Sequence, residues 1–272
     1  MKAPQLRPRK LSIQKMIPNI ITLGALASGM SAIKFAISEK WEAAVIALVA
    51  AAFMDAFDGA AARILKATSK LGAELDSLSD FVSFGVAPAI VVYLWSTHDI
   101  GRWGWFIALV YAMALALRLA RFNAMKAEED PNDPMTKYFV GVPAPLDAIL
   151  CVLPLILTFM FEDHMPAWAP IFHTPMITGT WSLIIAALAV SHLPTFSSKQ
   201  IRIPYSMRVP TLGLVTLMIA GLINDPWPTL TVLALIYVVS IPMGFLHYNR
   251  KRSAIADGRA DPDDHDTDDD LG

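Results

Sequence analysis

Charged residues and cysteine are scarce in this 272-residue sequence, and each scarcity excludes a class of protein. Charged residues make up 17% of the chain, whereas soluble domains carry about 25%. The single cysteine, Cys151, excludes a fold held together by internal disulfides. With 14 glycines and 19 prolines, the composition is not collagen-like. Hydrophobic residues make up 55% of the chain and the mean hydropathy is +0.47, which favours an integral membrane protein.

About eight apolar stretches are long enough, or nearly so, to cross a hydrocarbon core that takes about 20 helical residues. They lie near residues 18–37, 42–64, 73–96, 103–122, 139–161, 175–192, 209–224 and 227–247. Lysine and arginine concentrate in the loops that are cytoplasmic if the amino terminus is cytoplasmic, as the positive-inside rule requires. The sequence therefore predicts an all-α polytopic membrane bundle of about eight transmembrane helices, with both termini in the cytoplasm.

The two ends of the chain differ in charge from the apolar region between them. Residues 1–17 contain five basic residues and predict a basic cytoplasmic segment. Residues 250–272 begin with three basic residues, and between 257 and 272 they contain eight aspartates and one arginine. Such a composition is typical of disorder. We therefore expect one membrane domain over 18–249, preceded by a basic segment and followed by a disordered tail that is first basic and then acidic.

Four aspartates occur where apolar helices are expected. Asp55 and Asp58 end the second span, and Asp76 and Asp80 begin the third. Spacings of three and four place each pair on one helical face, and the short link predicts antiparallel neighbouring helices. Carboxylates at membrane depth are costly and repel one another, so we expect a cation to hold them together. Because no histidine or cysteine accompanies them, the all-oxygen set favours Mg²⁺ or Mn²⁺ over zinc.

The spacing of these residues resembles the signature of the CDP-alcohol phosphotransferase family. The pattern reads Asp55-x-x-Asp58-Gly59-x-x-Ala62-Arg63, then eight residues, then Gly72-x-x-x-Asp76-x-x-x-Asp80. Pro18, Asn19 and Thr22 resemble the family's opening helix, and residues 84–88, 118–123 and 141–143 resemble its phosphatidylserine synthase branch. The resemblance covers roughly residues 18–199.

This resemblance implies an activity and a role for each motif residue. The phosphatidyl group of CDP-diacylglycerol would pass to the hydroxyl of L-serine, with CMP as the leaving group. Asp55, Asp58 and Asp76 would bind metal, and Asp80 would bind a second metal ion and act as the general base. The CDP-diacylglycerol contacts implied by the family are Pro18, Asn19, Gly59, Arg63 and Ser69.

The setting of the enzyme is also implied by the resemblance. We expect a homodimer in a bacterial-type cytoplasmic (inner) membrane, with the active site facing the cytoplasm and the lipid bilayer as its surroundings. We expect no nucleic-acid partner.

The acceptor alcohol is specified less strongly than the donor. Serine has a carboxylate and an ammonium group, so its pocket needs a cation and a hydrogen-bond acceptor; candidates are Arg118, Arg121, Asn123 and Lys199. Positive-inside anchoring accounts for Arg121 and Lys199 about equally well. Choline would call for an aromatic cage, and glycerol 3-phosphate or inositol phosphate for a denser basic cluster. Serine is favoured mainly by the resemblance.

A cation-coupled transporter and a membrane scaffold are the alternatives to an enzyme. A cation-coupled transporter also places aspartates in membrane helices, but usually near the bilayer midplane on broken helices. Here the aspartates lie toward the cytoplasmic end of their helices, next to a loop with lysine and serine. A membrane scaffold would leave the four carboxylates without a role.

Overall fold

The computed structural model of the protein describes residues 16–65, 67, 69–128, 143–191 and 208–240, and the regular elements in these ranges are helices. Most of the predicted segment 1–17 and all of 250–272 lie outside the described residues. The α-helices are α1 (Ile17–Ile37), α2 (Trp41–Ile64), α3 (Lys70–Asp80), α4 (Ala87–Trp95), α5 (Arg102–Glu128), α6 (Ala144–Cys151), α7 (Leu153–His164), α8 (Ala169–His173), α9 (Pro175–Val190), α10 (Arg208–Asn224) and α11 (Pro226–Ser240). A π-helix (Phe81–Val86) joins α3 to α4, and a 3₁₀-helix (Thr97–Ile100) precedes α5.

Four helical segments in the described ranges are long and apolar enough to cross a membrane. They are Ile17–Ile37, Trp41–Ile64, Lys70–Trp95 and Arg102–Met125. The bent pair α6 and α7 gives a fifth candidate if it counts as one span, and α9, α10 and α11 are shorter apolar helices. The expected all-α membrane class is confirmed. The number of eight spans and the cytoplasmic position of both termini stay predictions.

The predicted span at 139–161 is divided in the structure. Helices α6 and α7 meet at Val152 with a bend of 49°, while residues 139–142 lie outside the described part of the chain. Pro154 accounts for this break, because a proline has no backbone N–H to continue the ladder of α6 and is tolerated in the first turn of a new helix.

Helix α1 packs through small side chains. Its buried residues recur every three or four positions along one face: Pro18, Thr22, Ala25, Gly29, Ala32 and Ala36. Lipid gives little hydrophobic drive for helix association, so small residues stabilise such contacts by letting backbones approach closely. The approach is closest at Gly29, where a Cβ atom would lie 2.5 Å from Ser83 Oγ and 2.7 Å from Ser83 Cα. Only glycine fits at this position without displacing the π-helix.

The described residues form two compact units. The first holds the residues up to 127 together with 143–190, and the second holds 208–240. In the first unit a buried apolar cluster joins α2, the π-helix, α5 and α6; its members are Ala51, Phe84, Leu115, Leu119, Ala144 and Ala148. In the second unit α10 and α11 approach each other closely, since a Cβ atom at Gly221 would lie 2.6 Å from Thr229 Oγ1.

Candidate active site

Three of the four predicted metal ligands meet in the first unit. Asp55 near the end of α2 and Asp76 and Asp80 on α3 each offer a carboxylate oxygen, and these oxygens lie within 4.8 Å of one another. All three residues are half-buried. At this separation two carboxylates repel each other by about 3 kcal/mol at an effective dielectric constant of about 20. A cation between them removes that cost.

Asp58 faces a different neighbour. Only 4% of this residue is exposed, and its Oδ2 accepts a 2.6 Å hydrogen bond from Thr22 Oγ1 on α1. Asp58 and Asp55 are three residues apart, which separates their directions by about 60° around the helix axis. The structure therefore directs Asp55 toward α3 and Asp58 toward α1.

The polypeptide around Asp80 is held to α1 by side-chain hydrogen bonds. Ser79 Oγ donates to the Thr22 carbonyl at 3.1 Å, and Ser83 Oγ donates to the Ala25 carbonyl at 3.2 Å. The π-helix begins directly after Asp80, and short π-helical segments in proteins often occur at functional sites. Buried Tyr111 on α5 donates to the Phe84 carbonyl of this π-helix at 3.1 Å. These bonds fix the direction in which Asp80 leaves α3.

Two of the predicted lipid-binding residues meet at the start of α3. Ser69 caps the helix, because its Oγ accepts a 3.0 Å hydrogen bond from the Gly72 N–H. A Cβ atom at Gly72 would lie 3.0 Å from Asn19 Oδ1 and 3.1 Å from Ser69 Oγ. The first turn of α1 and the first turn of α3 therefore lie side by side, and the missing side chain at position 72 leaves room for the Asn19 amide.

The other three predicted lipid-binding residues lie on α1 and α2. Pro18 is buried in the first turn of α1, and its carbonyl oxygen lies 3.0 Å from Thr22 Oγ1. Gly59 and Arg63 are one turn apart on α2, and a Cβ atom at Gly59 would lie 3.7 Å from Arg63 Nη1. Arg63 lies in the last turn of α2 and is exposed, so its guanidinium is accessible.

Two acceptor candidates near the end of α5 are bonded to other helices of the first unit. Arg121 Nη2 donates to the Val190 carbonyl at the end of α9, with a distance of 2.9 Å. Asn123 Nδ2 donates to Ser77 Oγ at 2.9 Å, next to the carboxylate cluster on α3. Lys199 lies outside the described residues. The end of α5 is thus connected to both α9 and α3.

The remaining acceptor candidate, Arg118, forms a buried ion pair. Its Nε lies 3.6 Å from Oδ2 of Asp147 on α6, whose side chain is 0% exposed. We did not predict Asp147 from the sequence, although a carboxylate in the apolar stretch 139–161 is itself a signal of function. The contacts of Thr22 with Asp58 and of Ser77 with Asn123 were also not predicted, because hydroxyls are common in membrane helices and carry no such signal.

The donor set fits a divalent cation. Its ligands are carboxylate oxygens without nitrogen or sulfur, which is the set that hard cations prefer. The three ligand oxygens come from two neighbouring helices of one unit and already converge. The site is therefore suited to a divalent metal ion.

The sequence comparisons assign this fold and site to a class. The family model described as CDP-alcohol phosphatidyltransferase matches residues 15–190, which include the whole acidic motif, and the model described as CDP-alcohol phosphatidyltransferase 2 matches residues 206–242. The chain belongs to the CDP-alcohol phosphatidyltransferase family, and it is an integral membrane protein.

Individual relatives narrow the class further. The chain is 33% identical over 231 residues to the CDP-diacylglycerol–serine O-phosphatidyltransferase of Mycobacterium bovis, covering 84% of this chain and 77% of the relative. It is 32% identical over 251 residues to the protein of that name from Mycobacterium leprae, covering 90% and 79%. With the Helicobacter pylori protein of that name it shares 37% identity over 142 residues, which cover 52% and 58%.

Proposed function

We propose that this chain transfers the phosphatidyl group of CDP-diacylglycerol to the hydroxyl of L-serine, giving phosphatidylserine and CMP. The observation that carries the proposal is similarity over most of the chain to relatives whose name states this reaction. The convergence of Asp55, Asp76 and Asp80 supports it, because these are three of the four motif aspartates and they lie within the range that the family model matches.

In this proposal all four carboxylates are metal ligands, and Asp80 is also the general base. Asp55, Asp76 and Asp80 hold Mg²⁺ or Mn²⁺, and Asp58 joins them as a ligand whose orientation is fixed by Thr22. A divalent cation bound there offsets the negative charge of the diphosphate and of the leaving CMP.

Asp80 also accepts the proton of the serine hydroxyl as that oxygen attacks the phosphorus atom attached to diacylglycerol. The bond from this phosphorus to the CMP oxygen breaks, and the electron pair leaves with CMP. The hydrogen bonds of Ser79 and Ser83 to α1 hold the backbone on both sides of Asp80, so the base keeps its orientation during this transfer.

The donor lipid is held by residues from three helices. Asn19 and Ser69 lie together at the starts of α1 and α3, with Pro18 at the same end of α1. Arg63 supplies a guanidinium for the diphosphate, and Gly59 leaves the α2 backbone open beside it. The small side chains in this region let the cytidine diphosphate lie against the backbone.

In this proposal the acceptor binds near the end of α5, at Arg118, Arg121 and Asn123; Lys199, the fourth candidate from the sequence, lies outside the described residues. The bond of Asn123 to Ser77 supports that location, because it brings the end of α5 next to Asp76.

The membrane setting completes the proposal. The protein lies in a bacterial-type inner membrane as a homodimer of eight-span subunits, with both termini and the active site on the cytoplasmic side. Residues 18–249 form the membrane domain. The cytoplasmic location is supported by the basic residues in the loops on that side.

A panel of acceptors tests the proposed function. Purified protein in mixed micelles is given labelled CDP-diacylglycerol, Mg²⁺ or Mn²⁺, and either serine, choline, glycerol 3-phosphate or inositol phosphate. We expect labelled phosphatidylserine and stoichiometric CMP with serine only, and at least about 100-fold less product from an Asp55→Asn variant. Preference for another acceptor would contradict the serine assignment, and absence of CMP release with all four would contradict the enzyme.

A further inference from the structure

The ion pair of Arg118 and Asp147 is poorly built for stability. The side chains are 11% and 0% exposed, and the closest approach, from Arg118 Nε to Asp147 Oδ2, is 3.6 Å. Among the residues that the structure describes, neither carboxylate oxygen of Asp147 has a hydrogen-bond partner, and Arg118 Nε has none either. The desolvation penalty of burying two charges with so few hydrogen bonds exceeds the free energy gained from their attraction. Replacing such a pair with apolar residues of similar volume often leaves a protein equally stable or more stable. The pair therefore calls for a functional explanation.

The surroundings place this pair close to the active site. Leu115 and Leu119 lie on the same face of α5 as Arg118, and they pack in one cluster with Phe84 of the π-helix and Ala51 of α2. Ala51 is one helical turn before Asp55, and the π-helix follows Asp80 directly.

On the other side of the pair, Ala144 and Ala148 of α6 belong to that same cluster and flank Asp147. One helical turn after Leu119, Asn123 bonds to Ser77 beside Asp76. Arg118 thus lies on the face of α5 that packs toward the helices carrying the carboxylates.

We propose that Asp147 determines the charge of acceptor that the enzyme takes. This inference rests on the proposed function, in which Arg118 belongs to the acceptor pocket. By offsetting the charge of Arg118, Asp147 keeps this part of the pocket neutral while it orients the guanidinium toward the acceptor's carboxylate. A neutral pair suits a zwitterion such as serine. An uncompensated arginine in a buried pocket attracts anions, so a phosphate-bearing alcohol would then compete.

The test compares serine with an anionic competitor. For purified full-length protein we would measure the KM for serine, the KM for CDP-diacylglycerol, and the inhibition constant of glycerol 3-phosphate. In Asp147→Asn the KM for serine should rise about tenfold and the inhibition constant of glycerol 3-phosphate should fall about tenfold, because one charge beside the bound acceptor is lost. The KM for the lipid should stay within about twofold, because the diphosphate is bound elsewhere.

A double variant keeps the test independent of folding. Arg118→Met with Asp147→Leu leaves no unpaired charge, so it should fold and bind CDP-diacylglycerol. It should nevertheless show a KM for serine raised at least about tenfold, with no gain in inhibition by glycerol 3-phosphate. Thr158→Val serves as the control, since it removes another buried polar group, one that donates to the Pro154 carbonyl four residues earlier.

The outcomes separate this inference from the proposed function. Wild-type transfer to serine tests the function by itself. If the double variant keeps the wild-type KM for serine, the pair is structural and the inference is wrong. The inference is also wrong if folded Asp147→Asn keeps the wild-type ratio of the KM for serine to the inhibition constant of glycerol 3-phosphate. In that case the enzyme would still be a serine transferase.

Discussion

The hydrogen bond from Thr22 to Asp58 gives the sharpest test of the metal site. Asp58 is one of the four motif aspartates, yet among the described residues it lies outside the group of three converging carboxylates. Its Oδ2 accepts a 2.6 Å bond from Thr22 Oγ1, and Thr22 is 5% exposed. Thr22→Val removes the hydroxyl while keeping the β-branched shape. If Asp58 ligates the cation, this substitution should weaken metal binding without removing a ligand.

The expected size of the effect follows from the bond that is lost. Thr22 Oγ1 also lies 3.0 Å from the Pro18 carbonyl, but it has one proton, and the shorter contact to the carboxylate receives it. A hydrogen bond to a charged group contributes about 1.5–3 kcal/mol. Loss of a partner that orients a metal ligand typically lowers metal affinity by about 10–100-fold. The Mg²⁺ concentration for half-maximal activity should therefore rise by about that factor.

The assay is phosphatidylserine formation at saturating CDP-diacylglycerol and serine, titrated with Mg²⁺. Thr158→Val is a closely matched control, because Thr158 is 6% exposed and its Oγ1 likewise lies 3.0 Å from the carbonyl of a proline four residues earlier, with no carboxylate bonded to it among the described residues. Thr158→Val should keep the wild-type Mg²⁺ dependence. Identical Mg²⁺ curves for both threonine variants would refute Asp58 as a ligand.

Four further results are expected. Asp55→Asn should reduce turnover by at least about 100-fold at saturating Mg²⁺ with little change in thermal melting, because a charged ligand is lost while the shape is kept; near-normal turnover would contradict the site. Asp80→Asn should reduce turnover by about 10²–10⁴-fold while binding of CDP-diacylglycerol, measured by equilibrium binding with Mg²⁺, persists, since an amide cannot accept the proton; loss of lipid binding to the same extent would instead make Asp80 a binding residue. Reporter fusions at Asp99 and Lys126, at opposite ends of the fourth predicted span, should label opposite sides of the membrane, and labelling on one side would exclude the proposed topology. Gly29→Val should destabilise the protein by about 1–3 kcal/mol in a melting experiment, because any side chain there meets Ser83; an unchanged melting temperature would show that the π-helix can move away from α1.

The sequence by itself was enough to predict the membrane-protein class, the family and the aspartates of the candidate metal site. Spacings of three and four residues follow directly from helix geometry, so the pairing of Asp76 with Asp80 on one face was predictable without coordinates. Apolar stretches gave the all-helical membrane fold for the same reason, since a bilayer accepts few other structures. The motif from Asp55 to Asp80 is local in sequence, and local patterns are what a sequence displays best.

Contacts between distant segments were decided only by the tertiary structure. Residues three apart on a helix differ in direction by about 60°, which was enough to turn Asp58 away from Asp55 and toward Thr22 on α1. The π-helix after Asp80 depends on packing against α1 and α5, and hydropathy does not record such a change in helical geometry. Arg118 and Arg121 looked alike as basic residues at a helix end. Tertiary packing gave one a buried carboxylate on α6 and the other the last carbonyl of α9, because neighbouring helices determine which groups meet.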